Sequence, residues 1–249
     1  MNNHHSPTSI LTLQNVHYQI PLEDGVLDIL KACQLSVQSE ETVAIVGRSG
    51  SGKSTLLALM AGLDKPTSGS IELFGQAIEG LSEDQRAQIR AQQVGFIFQN
   101  FQLMPSMSAL ENILMPLELF QVPNAKQLAL EALDQVGLAN RAQHRPAELS
   151  GGEQQRVAIA RAFVTKPKIL FADEPTGNLD EETAQQIHKL LFQLNRQQKT
   201  TLILVTHNLQ LAQQCDRVVQ LVHSQLQPYV QPGDNHHAEI QSQSNQENR

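Results

Sequence analysis

An α/β fold is predicted, with a parallel sheet at its core, an antiparallel β portion at the N-terminus and an inserted helical subdomain. Three observations carry it. Short apolar runs at residues 43–46, 169–172 and 202–205 are followed by helix-type patterning, the alternation that builds a parallel sheet with helices on its faces. Residues 10–16 alternate apolar and polar side chains, as a half-buried strand does. Residues 101–148, between the first two runs, carry helical patterns instead of a further apolar run.

Taken in order, residues 10–16 read as the opening strand and residues 32–37, less regularly, as another, with a loop over 21–25 between Pro21 and Gly25. The run 43–46 is a buried strand and 55–61 a helix. Residues 94–98 form a strand-like run. Helical stretches at 109–120 and 126–136 are broken by Pro105, Pro116, Pro123 and Gly137, so residues 101–161 make the helical subdomain. Beyond Leu226 the composition turns to Gln, Asn, His, Ser and Pro, so 227–249 is expected to be a disordered tail, as are residues 1–9. The ordered domain is therefore expected over 10–226.

A net charge of −7 argues against a broad, sequence-independent grip on nucleic acid, which needs an excess of Lys and Arg. Hydrophobic residues at 40% suffice for a substantial core. Cys33 and Cys215 stand far apart and in no metal-ligand spacing, which fits reduced thiols in a cytoplasm. No apolar stretch is long enough for a membrane helix, and the first nine residues lack the pattern of a signal peptide. The expectation is a chain that neither inserts in a membrane nor is exported.

Gly47, Arg48, Ser49, Gly50, Ser51, Gly52, Lys53 and Ser54 fit G-x-x-x-x-G-K-[ST], placed after a strand and before a helix, which is the context the motif requires. The glycines let the backbone wrap a phosphate, and successive N–H groups with the helix N-terminus supply a positive field. Lys53 adds a full charge for the β- and γ-phosphates, and the Ser54 hydroxyl can bind Mg²⁺. A Gly/Ser-rich turn with a solvated lysine uses the same residue types without this context. The motif points to nucleotide binding by a P-loop NTPase core and leaves kinase, GTPase, helicase and transporter open.

The run 169–172 ends in Asp173 and Glu174, carboxylates at the end of a parallel strand, where α/β sheets bind ligands. Asp173 can hold Mg²⁺ and Glu174 can polarise the water that attacks the γ-phosphate. An acidic helix start before Pro175 is the alternative.

Leu149-Ser150-Gly151-Gly152-Glu153-Gln154-Gln155-Arg156 contains a capping box, Ser150 with Glu153, beside paired glycines. Cap chemistry alone would account for the S-x-x-E spacing. The string also resembles the signature motif of ABC ATPases. The order of motifs matches that family: phosphate loop, Gln99 after 94–98, signature, Asp173-Glu174, Gly177-Asn178-Leu179-Asp180, and His207 after 202–205. The resemblance covers residues 10–226.

Gly62-Leu63-Asp64, Ala109-Leu110-Glu111-Asn112, His144-Arg145-Pro146 and above all Pro175-Thr176-Gly177-Asn178-Leu179-Asp180, with Asn178 as its mark, look like the bacterial subgroup that powers lipoprotein release and macrolide export. Asn208, where many relatives place Asp, is a departure.

The resemblance implies an ATPase that binds ATP with Mg²⁺, Thr55 included in the phosphate site. It implies that Ser150, Gly151, Gly152 and Gln154 meet the γ-phosphate of ATP held by a second copy of the chain. It further implies that Gln99 senses Mg²⁺ and the attacking water, that Asp180 acts across the dimer interface, and that His207 contacts the γ-phosphate. Taken singly, Gln99 and His207 could be ordinary polar residues at strand ends. Tyr18 is the candidate for stacking on adenine, with a half-buried strand tyrosine as its alternative.

The expected partners are a second copy and integral membrane permease subunits, at the cytoplasmic face of a membrane. Two other classes share parts of this pattern. A soluble ABC-type ATPase of DNA repair or translation would need a coiled-coil insertion or a second ATPase domain, and the sequence carries no heptads or repeats. A mechanical or signalling adaptor at the membrane, without substrate passage, shares every motif above.

Overall fold

The computed structural model describes residues 9–230. The chain opens with a long hairpin, β1 (Ser9–Leu22) and β2 (Gly25–Gln38), joined by a two-residue turn. The predicted loop over 21–25 is thus shorter than its Pro and Gly suggested. Pro21 lies inside β1 opposite Val26, while the pairing of β1 with its other neighbour ends at His17. A proline without an N–H is tolerated there because that edge of the strand has no ladder to supply.

After β3 (Thr42–Val46) come helix α1 (Lys53–Met60), strands β4 (Ser68–Leu73) and β5 (Gln76–Ala77), helix α2 (Glu83–Gln93) and β6 (Val94–Phe98). The helical segment holds α3 (Ala109–Leu119), α4 (Ala125–Gln135) and α5 (Gly151–Phe163). The chain then alternates through β7 (Ile169–Asp173), α6 (Glu181–Gln198), β8 (Thr201–Val205), the short α7 (Leu209–Ala212), β9 (Arg217–Val222) and β10 (Gln225–Pro228).

Pro116 does not break α3 but lies inside it. Its ring removes one helical hydrogen bond. Burial of Leu110, Ile113 and Leu117 on one stripe of the helix outweighs that loss. Strand β10 includes Gln227 and Pro228, which composition assigned to the tail, because pairing with β9 needs backbone rather than apolar side chains. Likewise Ser9 falls within β1. The remainder of the two expected disordered ends, residues 1–8 and 231–249, lies outside the described residues.

The larger sheet has the order β10-β9-β3-β8-β7-β6, with parallel pairing throughout except for antiparallel β10 at the edge. The smaller sheet, β2-β1-β4-β5, is antiparallel. Alternation along the central strands divides the core. Val43, Ile45, Ile169, Phe171, Ile203 and Val205 join the hairpin and α1 in one buried cluster. Ile97, Leu170, Ala172, Leu202 and Leu204 join α3–α6 in the other. Each central strand is covered on both faces, so its sequence reads as an unbroken apolar run.

Register decides where the functional residues go. Ile45 is level with Val205, Val205 with Asp173, and Asp173 with Phe98. The residues just beyond these, on four strands, therefore emerge together at the carboxyl edge of the sheet.

Candidate functional site

At that edge lies a cleft of about 650 Å³ lined by Ile29, Ser49, Gly50, Gly52, Lys53, Ser54, Thr55, Gln99, Asp173, Glu174 and His207. Five separate parts of the sequence meet there. Four of them lie at the carboxyl ends of the parallel strands β3, β6, β7 and β8, and the fifth, Ile29, comes from the hairpin.

Helix α1 begins on the phosphate loop, with Gly52 as N-cap at φ 99° and no side-chain cap. The first-turn N–H groups are thus free to face an anion. Gly52 is required twice over. Its backbone is left-handed, and a Cβ there would sit 2.9 Å from Cγ2 of Ile29. Lys53 is buried, and its Nζ donates to the carbonyls of Gly47 at 3.0 Å and Arg48 at 2.9 Å. The ammonium thereby spans the loop whose N–H groups would hold the phosphates. Gly47, Arg48 and Ser51 shape the loop without lining the cleft.

Asp173 is the last residue of β7. Burial pushes its carboxyl above the ordinary carboxylate range, and the charge of Glu174 adds to this against lowering by the Ser54 hydroxyl and Lys53. Its Oδ1 is buried with no hydrogen-bond partner. An orphaned acid oxygen beside a serine hydroxyl fits the requirements of a hard cation that takes oxygen ligands.

Glu174 adopts a left-handed backbone, φ 45°, which is uncommon for a residue with a Cβ. Its N–H donates to Val205 O at 2.9 Å. Both carboxylate oxygens are held, Oε2 by the Thr206 hydroxyl at 3.2 Å and Oε1 by His207 Nδ1 at 2.8 Å. An ionised carboxylate only accepts, so this contact requires the proton on Nδ1 of His207.

Gln99 lines the cleft, with Nε2 donating to Asn178 Oδ1 at 3.2 Å. Asn178 in turn donates from Nδ2 to Gln99 O and Asn100 Oδ1. The Gly177-Asp180 turn is thereby tied to the end of β6.

The remaining predicted residues stand outside the cleft of their own chain. Ser150 caps α5 with the anticipated box, accepting from Glu153 N at 3.2 Å while Glu153 Oε2 accepts from Ser150 N at 2.8 Å. The Glu153 carboxyl is held below its ordinary value, chiefly by that Ser150 N–H. Gly151 and Gly152 let this helix start approach Leu179 and Thr183 closely. Gln154 donates from its side chain to Leu149 O. Asp180 caps α6, accepting from Thr183 N at 2.9 Å, and that bond depresses its pKa.

Tyr18 is absent from the cleft lining. Its hydroxyl donates to Asp64 Oδ2 at 2.7 Å, and that bond raises its pKa. Ile29 lines the cleft instead, and Thr206 holds Glu174. Sequence reasoning named neither. Thr206 could have been suspected from its place beside His207 at a strand end, whereas an isoleucine in a hairpin carries no such signal.

Comparison with known proteins agrees with this geometry. The family model for ABC transporters matches residues 30–177. The chain is 55% identical over 221 residues to the uncharacterized ABC transporter ATP-binding protein YbbA of Escherichia coli (strain K12), covering 88% of this chain and 97% of that protein. It is 50% identical over 217 residues to the lipoprotein-releasing system ATP-binding protein LolD of Hydrogenovibrio crunogenus, covering 86% and 94%. Among solved structures it matches the dimeric post-hydrolysis state of the ATP-binding cassette MJ0796 bound to ADP and Pi. The TM-score is 0.80 and the identity 37%, over 88% of this chain and 98% of that one. With the phosphate loop, the strand-end carboxylates and the signature in one fold, the chain belongs to the ABC transporter family and is an ATP-binding, ATP-hydrolysing subunit of that class.

Proposed function

We propose that two copies of this chain close around two ATP molecules, each copy lending its signature helix to the nucleotide on the other's phosphate loop, and that the cycle drives integral membrane permease subunits from the cytoplasmic face. One observation carries the reading. The phosphate loop, Gln99, Asp173, Glu174 and His207 share a cleft, while the start of α5, with Ser150 exposed and Gly151, Glu153 and Gln154 half-buried, stands outside it. A helix start suited to an anion, in a chain whose own anion site is elsewhere, fits a role toward a second copy.

In this reading Lys53 and the loop N–H groups neutralise the phosphates. Ser54 and Asp173, with Gln99 beside them, would hold Mg²⁺, whose charge offsets that of the β- and γ-phosphates. Glu174 orients the attacking water and takes its proton, while Thr206 and His207 fix the carboxylate. His207, which lines the cleft and is largely exposed, would contact the γ-phosphate. Beside α3, a surface groove over Met107, Leu114, Met115 and Leu119, with Met104 and Phe120 exposed nearby, supports docking of a permease segment. No described helix is long and apolar enough to cross a membrane.

Glu174→Gln tests the cycle. It should keep Mg·ATP affinity, slow single-turnover hydrolysis by about 10²- to 10⁴-fold and accumulate an ATP-bound dimer in light scattering. A variant that stays monomeric at saturating Mg·ATP would refute the two-copy reading. Parental hydrolysis would refute the base assignment.

A further inference from the structure

Gln155 has no role in the site described so far, yet it is a fully buried polar side chain at 0% exposure. It lies one turn into α5, on the same face as Gly151, where the helix meets the turn that follows the catalytic strand. Its Nε2 donates to the carbonyl of Pro175 at 2.6 Å. Its Oε1 is buried with no partner among the described residues, so the bond to Pro175 is the one contact that accounts for an amide there.

Pro175 directly follows Glu174 and is itself buried. Having no N–H, it leaves only its carbonyl to anchor the backbone at this point. Glu174 is held in a left-handed conformation, which persists only where the surroundings over-determine it. One side of the residue is fixed by Val205 O, Thr206 and His207, all from β8 and its end. On the other side, Gly177 N closes back on Glu174 O, and the next carbonyl is held by Gln155.

We infer that Gln155 is a positioning residue for hydrolysis, coupling the helix that begins with the signature to the backbone bearing Glu174 in the same chain. A signature helix drawn toward a neighbouring nucleotide would pull on Pro175 through this bond, and so on the carboxylate that aligns water at its own site. The inference rests on Glu174 being the base, and the experiment separates the two.

Gln155→Leu, similar in size but unable to donate, is compared with Glu174→Gln in the full chain with Mg·ATP. The expected result is an unchanged Kd by calorimetric titration and single-turnover hydrolysis slowed by about 10- to 100-fold, the scale of a small misplacement of a reacting group. A parental rate in Gln155→Leu, with Glu174→Gln inactive, overturns the inference and leaves the base assignment standing. A parental rate in Glu174→Gln removes the base assignment and the inference with it.

Gln155→Glu covers the case in which the leucine variant does not fold, and it supplies a readout that a purely structural role would not move. The introduced carboxyl donates to Pro175 O when protonated and cannot do so when ionised. The variant's hydrolysis rate relative to the parent should therefore hold at low pH and fall as pH rises through the pKa of the new carboxyl, which burial raises. A ratio independent of pH overturns the inference.

Discussion

The signature can be tested as an element acting on another chain by mixing two crippled variants. Lys53→Ala removes the ammonium that spans the phosphate loop. Ser150→Arg places a bulky cation at the start of α5. The structural cost of the second change follows from its cap. Loss of the Ser150 Oγ to Glu153 N bond costs about 1 kcal/mol. In a chain of this length that lowers Tm by about 2–4 °C, so the variant remains folded at assay temperature. Each homodimer has two damaged sites and should be nearly inactive. A heterodimer instead collects both lesions in one site and leaves an intact loop facing an intact signature in the other. With equal mixing about half the dimers are heterodimers with one sound site of two, so recovery should approach about a quarter of the parental rate if the sites turn over independently. Phosphate release is followed with the membrane partner present, and heterodimers are verified by purification through two different tags. Parental hydrolysis by the Ser150→Arg homodimer, or no recovery in verified heterodimers, would refute the reasoning. If the helix start served only as a local cap, Ser150→Arg would show the small Tm change and little else.

Lys53→Ala should also lose most Mg·ATP affinity on its own, since the charge nearest the β- and γ-phosphates is gone while the loop backbone stays; an unchanged Kd in calorimetry would place the nucleotide elsewhere. Gly152→Ala gains helix propensity but drives a Cβ to 2.5 Å from Cγ2 of Thr183, an overpacking that should cost about 1–3 kcal/mol in urea denaturation. Adding Thr183→Ser, which deletes that methyl, should recover the loss, and an additive double variant would show that the clash is not the cause. Burial holds His188 below its ordinary value of 6.5, where its Nε2 lies 2.8 Å from Thr176 Oγ1 in the turn after β7. Its contribution to stability is whole above the unfolded value and is lost as pH falls through the depressed folded one. His188→Gln should accordingly flatten the acid limb of stability below the ordinary histidine value, and an unaltered limb would assign it to other groups.

The chemistry was legible in the residues alone, because it is carried by contiguous strings. The phosphate loop, Asp173-Glu174 and Ser150–Gln154 each need only local backbone geometry to present their groups, and the strand or helix beside each is legible as an apolar run or a cap. The central strands were legible for the same reason, since burial on both faces leaves them apolar throughout. Strands β5 and β10 and helix α2 were not anticipated, because edge strands and a polar surface helix bury too little to mark their period. Nor were the inner strands β4 and β9, which each bury only one alternating pair, Ile71 with Leu73 and Val219 with Leu221, too short a repeat to stand out. Pro21 and Pro116 were read as breaks by local rule, while a missing strand neighbour and a buried stripe admitted each of them. Where the side chains end up was settled only by folding. Tyr18 is drawn away to Asp64, Ile29 is brought to Gly52, and Gln155 reaches Pro175 across 20 positions of sequence. A strand pattern states which face a residue occupies, whereas its partner on that face is set by the bulges and register of strands that meet only when the chain has folded.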